Sequence, residues 1–176
     1  MRIKKEYTAA LAVDFQERLV PVVADSRELM ERVQVLLKGL RLLQIPILVT
    51  QQYTKGLGMS VPVIREASGV ADYAEKSSFS GLEAAESFIH GRKYILVCGI
   101  EAHCCVLQTV IDLAVAGYIP VLVTDCISSR RTEDRRMAIE RARQEGAILT
   151  TSEAILFELL GTADTPIWKE LLKIVK

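Results

Sequence analysis

Histidine is almost missing from this chain: His90 and His103 are the only two in 176 residues. That is too few for a histidine-rich metal site. An excess of either charge is missing as well. Lysine plus arginine equals aspartate plus glutamate, 22 each, so the formal net charge is zero. Nothing in that balance points to nucleic acid or an anionic membrane as a partner. No apolar run approaches the roughly 20 residues that a membrane-spanning helix needs. The basic start, Met-Arg-Ile-Lys-Lys-Glu-Tyr, has no apolar stretch behind it, so no secretory signal is expected. Cysteine is sparse and badly placed for crosslinking. Cys104 and Cys105 are adjacent, Cys98 lies in an apolar run, and Cys126 is the fourth. This is not a disulfide framework, and the expectation is a cytoplasmic chain with reduced thiols. Internal repeats and low-complexity segments are absent too.

What is present is an ordinary globular composition, half hydrophobic and a quarter charged. At this length a single domain over 1–176, with a full core, is expected. Short apolar runs at Thr8–Val13, Ile45–Thr50, Ile95–Cys98, Ile119–Thr124 and Ala147–Thr150 read as strands. Between them lie helical patterns. Ser26–Leu43 carries the stripe Leu29, Val33, Leu36, Leu37 and Leu40, with Asp25 or Ser26 as cap. Ser80 followed by Glu83 reads as a capping box opening a helix to about Ile89. Further helices are expected over Thr132–Glu145, from Ser152 to Leu160, and from Pro166 onward. The stretch Gln51–Val70, with Gly56, Gly58, Pro62 and Gly69, reads as an irregular loop, and such long loops are usually functional. Strands alternating with helices predict a mostly parallel sheet covered on both faces, a three-layer α/β/α Rossmann-like fold.

The segment Tyr94–Gly117 organises the rest. An apolar run, expected to stop at Gly99, leads into a helical pattern with Val106, Val110, Leu113 and Ala114 on one side. Cys104 and Cys105 then fall in the first helical turn, where backbone N–H groups lack internal partners and the dipole is positive. That field favours a thiolate and can hold an oxyanion. Ligands in open parallel sheets bind beyond the carboxyl ends of the strands. Asp14, Lys76 and Cys105 stand near such ends, as does Asp125. Together they could form a catalytic set: Cys105 as nucleophile, Asp14 moving its proton, and Lys76 keeping Asp14 ionised and lowering the thiol pKa. Each residue has a plainer role available. An acid at a strand end often caps a helix, a lysine is usually solvated, and a cysteine is usually a small buried hydrophobe. Cys98 and Cys126 are assigned to that last role. Cys104 competes with Cys105, since neighbouring helical residues point about 100° apart. A Cys–His pair is disfavoured, because His103 lies two residues from Cys105 and His90 ends another helix.

Three stretches, Ala-Val-Asp14-Phe-Gln, Glu-Lys76-Ser-Ser-Phe79-Ser, and Gly99-Ile-Glu-Ala-His-Cys-Cys105-Val-Leu-Gln-Thr, occur in an order that resembles the isochorismatase-like cysteine hydrolases. A downstream segment, Thr124-Asp-Cys-Ile-Ser-Ser-Arg130, belongs to the same resemblance, which runs from about Ala9 to Leu160. It implies a catalytic triad of Asp14, Lys76 and Cys105, with Cys105 rather than Cys104 as nucleophile. It also implies a cis peptide at Ile100–Glu101 and an oxyanion hole from the backbone N–H groups of Glu101 and Cys105. Phe15, Gln51, Tyr53 and Phe79 would shape the substrate pocket. Family members are commonly dimers or larger, so a homo-oligomer is expected.

Departures from the family narrow the chemistry. Nicotinamidases of this type carry a metal site of an aspartate and histidines after the second strand. Here that loop, Gln51 to Pro62, has neither residue type, so no metal and no cofactor is expected. True isochorismatases lack the cysteine. Cys105 therefore argues for acyl transfer through a thioester on a small amide. The alternative is a catalytically silent module for binding or assembly that keeps the scaffold. A vicinal Cys104–Cys105 disulfide would need strained geometry and is disfavoured.

Overall fold

The computed structural model describes residues 2–176. Its centre is a six-stranded sheet, all pairs parallel. The strands are β1 (Thr8–Val13), β2 (Ile47–Gln52), β3 (Ala74–Lys76), β4 (Tyr94–Ile100), β5 (Ile119–Ser128) and β6 (Ile148–Thr150). The helices are α1 (Ser26–Leu42), α2 (Thr54–Leu57), α3 (Pro62–Ser68), α4 (Leu82–Ile89), α5 (Leu107–Val115), α6 (Thr132–Gln144), α7 (Ser152–Leu160) and α8 (Ile167–Val175). The spatial order is β3-β2-β1-β4-β5-β6. The chain builds outward from β1 on one side, then returns and builds outward from β4 on the other. The order therefore reverses between β1 and β4, which opens a crevice beyond their carboxyl ends.

Strand parity explains the three layers. In β1, Ala9, Leu11 and Val13 join one buried cluster while Ala10 and Ala12 join the other. The first cluster holds Ala85 and Ile89 of α4, Val110 and Leu113 of α5, and Ala138 and Ala142 of α6. The second holds the stripe of α1, with Ile64, Ile155 and Leu171 from α3, α7 and α8. All of β1 and β4 is buried, as apolar runs without alternation require. Each fully buried leucine of α1, such as Leu36, Leu37 or Leu40, contributes about 1.5–3 kcal/mol.

Several local expectations change in three dimensions. Asp25 precedes α1 in a left-handed conformation, φ 51°, and its side chain makes no capping bond. The Ser80–Glu83 box does not form either. The helix starts one residue later, on Gly81, and Ser80 Oγ accepts only the Leu82 N–H at 3.3 Å. The Gln51–Val70 stretch is more ordered than expected, since β2 extends through Gln52 and α2 and α3 follow. β5 passes Asp125 and ends at Ser128.

Gly99 does not stop the central strand. β4 continues to Ile100, with Gly99 at φ 150°. A Cβ there would collide with the Val13 carbonyl oxygen and come within 2.9 Å of Val13 Cα. Only glycine lets β1 and β4 approach this closely at the crevice.

Candidate active site

Asp14 follows the last residue of β1 and takes φ 56°, which aspartate tolerates better than most residues. Its carboxylate is fully buried. Oδ1 accepts the Thr50 hydroxyl at 2.7 Å, and Oδ2 accepts Lys76 Nζ at 2.7 Å. Lys76 ends β3, two strands away from β1. Neighbouring strands lie about 4.8 Å apart, so a long side chain is needed to cross β2. Its ammonium also donates to Gln52 Oε1 at 2.6 Å and to the carbonyls of Phe79 at 3.0 Å and Ser78 at 3.1 Å. The buried ion pair is thus enclosed by further hydrogen bonds, which such a pair needs to offset desolvation.

Cys105 arrives from the other side of the crevice. Between β4 and α5 the chain makes a π-helical turn, Ala102–Val106, rather than the expected first α-turn. The Glu101 carbonyl accepts the N–H of Cys104 at 3.1 Å and of Val106 at 3.3 Å; the N–H of Cys105 is not part of that pair. The Ile100–Glu101 peptide is cis. Cys105 is 6% exposed and packs in the cluster on the α4–α6 face, whereas Cys104 is half-buried. The Cys105 carbonyl accepts Thr109 Oγ1 at 2.7 Å, and Thr109 in turn accepts the Gly81 N–H at 2.8 Å. Thr109 therefore ties the cysteine turn to the loop that follows Lys76.

Electrostatics link the three groups and reverse one expectation. The Cys105 thiol is pushed far above the usual cysteine range, not below it. Burial is the largest cause and the negative charge of Asp14 the next. The Lys76 ammonium pulls downward but is outweighed, and the neighbouring Cys104 adds to the rise. At neutral pH the resting sulfur is a thiol. Iodoacetamide should therefore alkylate Cys105 more slowly than free cysteine at pH 8. The rate should keep rising well beyond pH 9, where an ordinary thiol levels off. A profile flat from pH 6 upward, read by peptide mass spectrometry, would show that the lysine wins.

The remaining expected site residues divide. Tyr53 and Phe79 are fixed by backbone beside the lysine: Tyr53 N–H donates to the Lys76 carbonyl at 3.1 Å, and the Phe79 carbonyl accepts Nζ. The two residues are 61% and 53% exposed. Phe15 lies away from its expected place. It is fully buried in the core on the α1 face, on the opposite side of the sheet from the Cys105 cluster, and so forms no pocket wall. Gln51 is buried too, and its carboxamide is engaged inside the loop, with Oε1 accepting Ser60 N–H at 2.6 Å and Nε2 donating to Thr54 Oγ1 at 3.3 Å. Strand parity sends Thr50 and Gln52 to one side and Gln51 to the other. The polar run Thr50-Gln51-Gln52 ending an apolar strand was the available signal. Asp125 stays apart, bonded to Ser152 N at 2.8 Å and Ser152 Oγ at 2.6 Å at the start of α7. His90 caps the end of α4. Cys98 and Cys126 are buried thiols, with burial pushing Cys98 up to about 12. Among the described residues no cluster of three or more histidine, cysteine or acidic side chains could hold a metal, and no helix is long and apolar enough to cross a membrane.

Known proteins share this arrangement of sequence and fold. The family model of the Isochorismatase domain matches residues 8–154. The mouse isochorismatase domain-containing protein 2A is 38% identical over 178 residues, covering 99% of this chain and 85% of its own. Among solved structures, the MAR1 ribonuclease of Caenorhabditis elegans superposes with a TM-score of 0.93 at 37% identity, covering 99% of this chain and 92% of that one. The YcaC gene product of Escherichia coli, described as an octameric hydrolase of unknown specificity, superposes at 0.89 with 22% identity, covering 99% and 90%. At that identity it bears on the fold alone.

Proposed function

This chain belongs to the isochorismatase domain family, a family of hydrolases, and on that premise we propose that it cleaves a small amide-type C–N bond with Cys105 as nucleophile. The observation that carries this reading is the buried Lys76–Asp14 ion pair, 2.7 Å long, whose carboxylate charge acts on the neighbouring Cys105 thiol. A carboxylate paired with an ammonium and set beside a neutral thiol is placed to serve as its general base.

The proposed sequence of events follows from that protonation state. A substrate carbonyl enters over Cys105, Asp14 removes the thiol proton, and Sγ bonds to the carbonyl carbon. Charge moves to the carbonyl oxygen, which the backbone N–H groups of Glu101 and Cys105 receive. Asp14 returns its proton to the leaving nitrogen, the C–N bond breaks, and a thioester remains. Water then bonds to the acyl carbon as Asp14 takes its proton, the C–S bond breaks to release the acid, and Asp14 returns the proton to Sγ, restoring the thiol. Lys76 takes no proton. It holds Asp14 in place together with Thr50, while Gln52 holds the ammonium itself. The exposed residues Tyr53 and Phe79 are proposed to contact the substrate.

The test is a panel of small amides and activated esters, with a short RNA included because a similar nematode protein is named a ribonuclease. Intact mass and peptide mapping after rapid quench should find an acyl group on Cys105 for at least one compound. Acyl groups found only on other residues, or RNA cleavage that persists when Cys105 is fully alkylated, would overturn the cysteine mechanism. A protein inert to the whole panel would favour the silent binding module.

A further inference from the structure

The segment Thr124–Arg130 has no part in the chemistry above, yet the β4–β5 ladder delivers it to the nucleophile turn. Val97 pairs with Leu122, and the next pair is Gly99 with Ile127. Two steps along β4 thus face five along β5, a bulge that takes up three extra residues. Beyond it Ile100 pairs with Ser128, which brings Ser129 and Arg130 beside Glu101 and the turn that follows it. Arg130 N–H donates to Glu101 Oε2 at 3.0 Å, and Arg130 Nε lies 3.1 Å from both carboxylate oxygens. The fully buried Ser129 places its Oγ 2.9 Å from His103 Nδ1. The Glu101 carbonyl meanwhile accepts the N–H groups on either side of Cys105. Glu101 is therefore held by its side chain from the segment just after β5 and by its backbone from the turn.

We propose that Arg130 is a positioning residue: its grip on Glu101 sets the Ala102–Val106 turn so that the Cys105 sulfur and the Glu101 N–H meet one carbonyl group in register. This rests on Cys105 being the acyl-accepting nucleophile. The Glu101 carboxylate is 13% exposed and the Arg130 side chain 63%. With the arginine this open to solvent, the pair adds little to stability. Its value is geometric, and a displacement of about 1 Å at a reacting centre can cost on the order of 100-fold in rate.

Two electrophiles separate position from mere reactivity. p-Nitrophenyl acetate acylates a thiol through a tetrahedral oxyanion; iodoacetamide alkylates it with none. Arg130→Ala should slow acylation of Cys105 about 10- to 100-fold while changing its alkylation by less than about threefold. Arg130→Lys should recover part of the acylation rate, and Glu101→Gln, which keeps a carbonyl acceptor for the Arg130 N–H, should fall between. Melting temperatures should stay within a few degrees of the parent. Equal losses with both reagents, or no loss with the ester, would overturn the proposal. If Arg130→Ala fails to fold, the same comparison on Glu101→Gln decides. A parent protein that the ester does not acylate at Cys105 removes the hydrolase reading and this proposal together. A normally acylated parent with an equally fast Arg130→Ala removes the proposal alone.

Discussion

Cys105→Ala is expected to lower turnover by at least about 10⁴-fold, because removing the attacking atom leaves only binding and oxyanion stabilisation. Cys104→Ala should retain activity within about threefold. The two thiols are neighbours in sequence but not in environment. Cys105 is buried within the charge field of Asp14 and Lys76, and its carbonyl is tied through Thr109 to the loop after Lys76. Cys104 is half-buried, and its backbone N–H, the group that holds the turn, survives substitution by alanine. Steady-state rates of the two variants on whichever panel compound acylates the parent provide the measurement. The opposite order of effects would move the nucleophile to Cys104 and detach the ion pair from the chemistry.

Lys76→Met should destabilise the protein by about 3–5 kcal/mol, read as a lowered urea midpoint at unchanged slope. The cost does not come from losing an attraction alone. Asp14 would keep a buried charge with the Thr50 hydroxyl as its remaining side-chain donor, and Gln52 Oε1 would lose its ammonium partner. Pairing the change with Asp14→Asn should return a large part of the stability. Asparagine accepts the left-handed backbone at that position, carries no charge, and can still accept the Thr50 hydroxyl. The double variant should nevertheless remain inactive, since no base is left to take the thiol proton. Stability of Lys76→Met within about 1 kcal/mol of the parent would mean that water reaches the carboxylate and that the pair is not enclosed.

The two expectations also show how far local reading extends. The apolar runs of β1 and β4 had no alternation, and strands of that kind must be covered on both faces, so the three layers followed from periodicity. The stripe of α1 lies where the spacing put it. Gly99 looked like a strand terminator because glycine usually weakens strands. It is instead the residue that allows β1 and β4 to pass closely, a demand set by a partner 86 positions away. Phe15 looked like a pocket wall because it neighbours Asp14, but the positive φ at position 14 breaks the strand's alternation, and the ring enters the opposite core.

By itself the sequence determined five of the six strands and the longer helices, but not the short β3, α2 and α3; it also determined the burial of the central strands and which acid, amine and thiol were available near strand ends. Periodicity and local capping chemistry act over a few residues, and those features need nothing more. The tertiary structure decided that Lys76 crosses β2 to reach Asp14, that Thr50 and Gln52 join them, and that Arg130 meets Glu101. It also decided the direction of the Cys105 pKa. These depend on strand order and on how much water is excluded, and both arise only when segments distant along the chain are packed against one another.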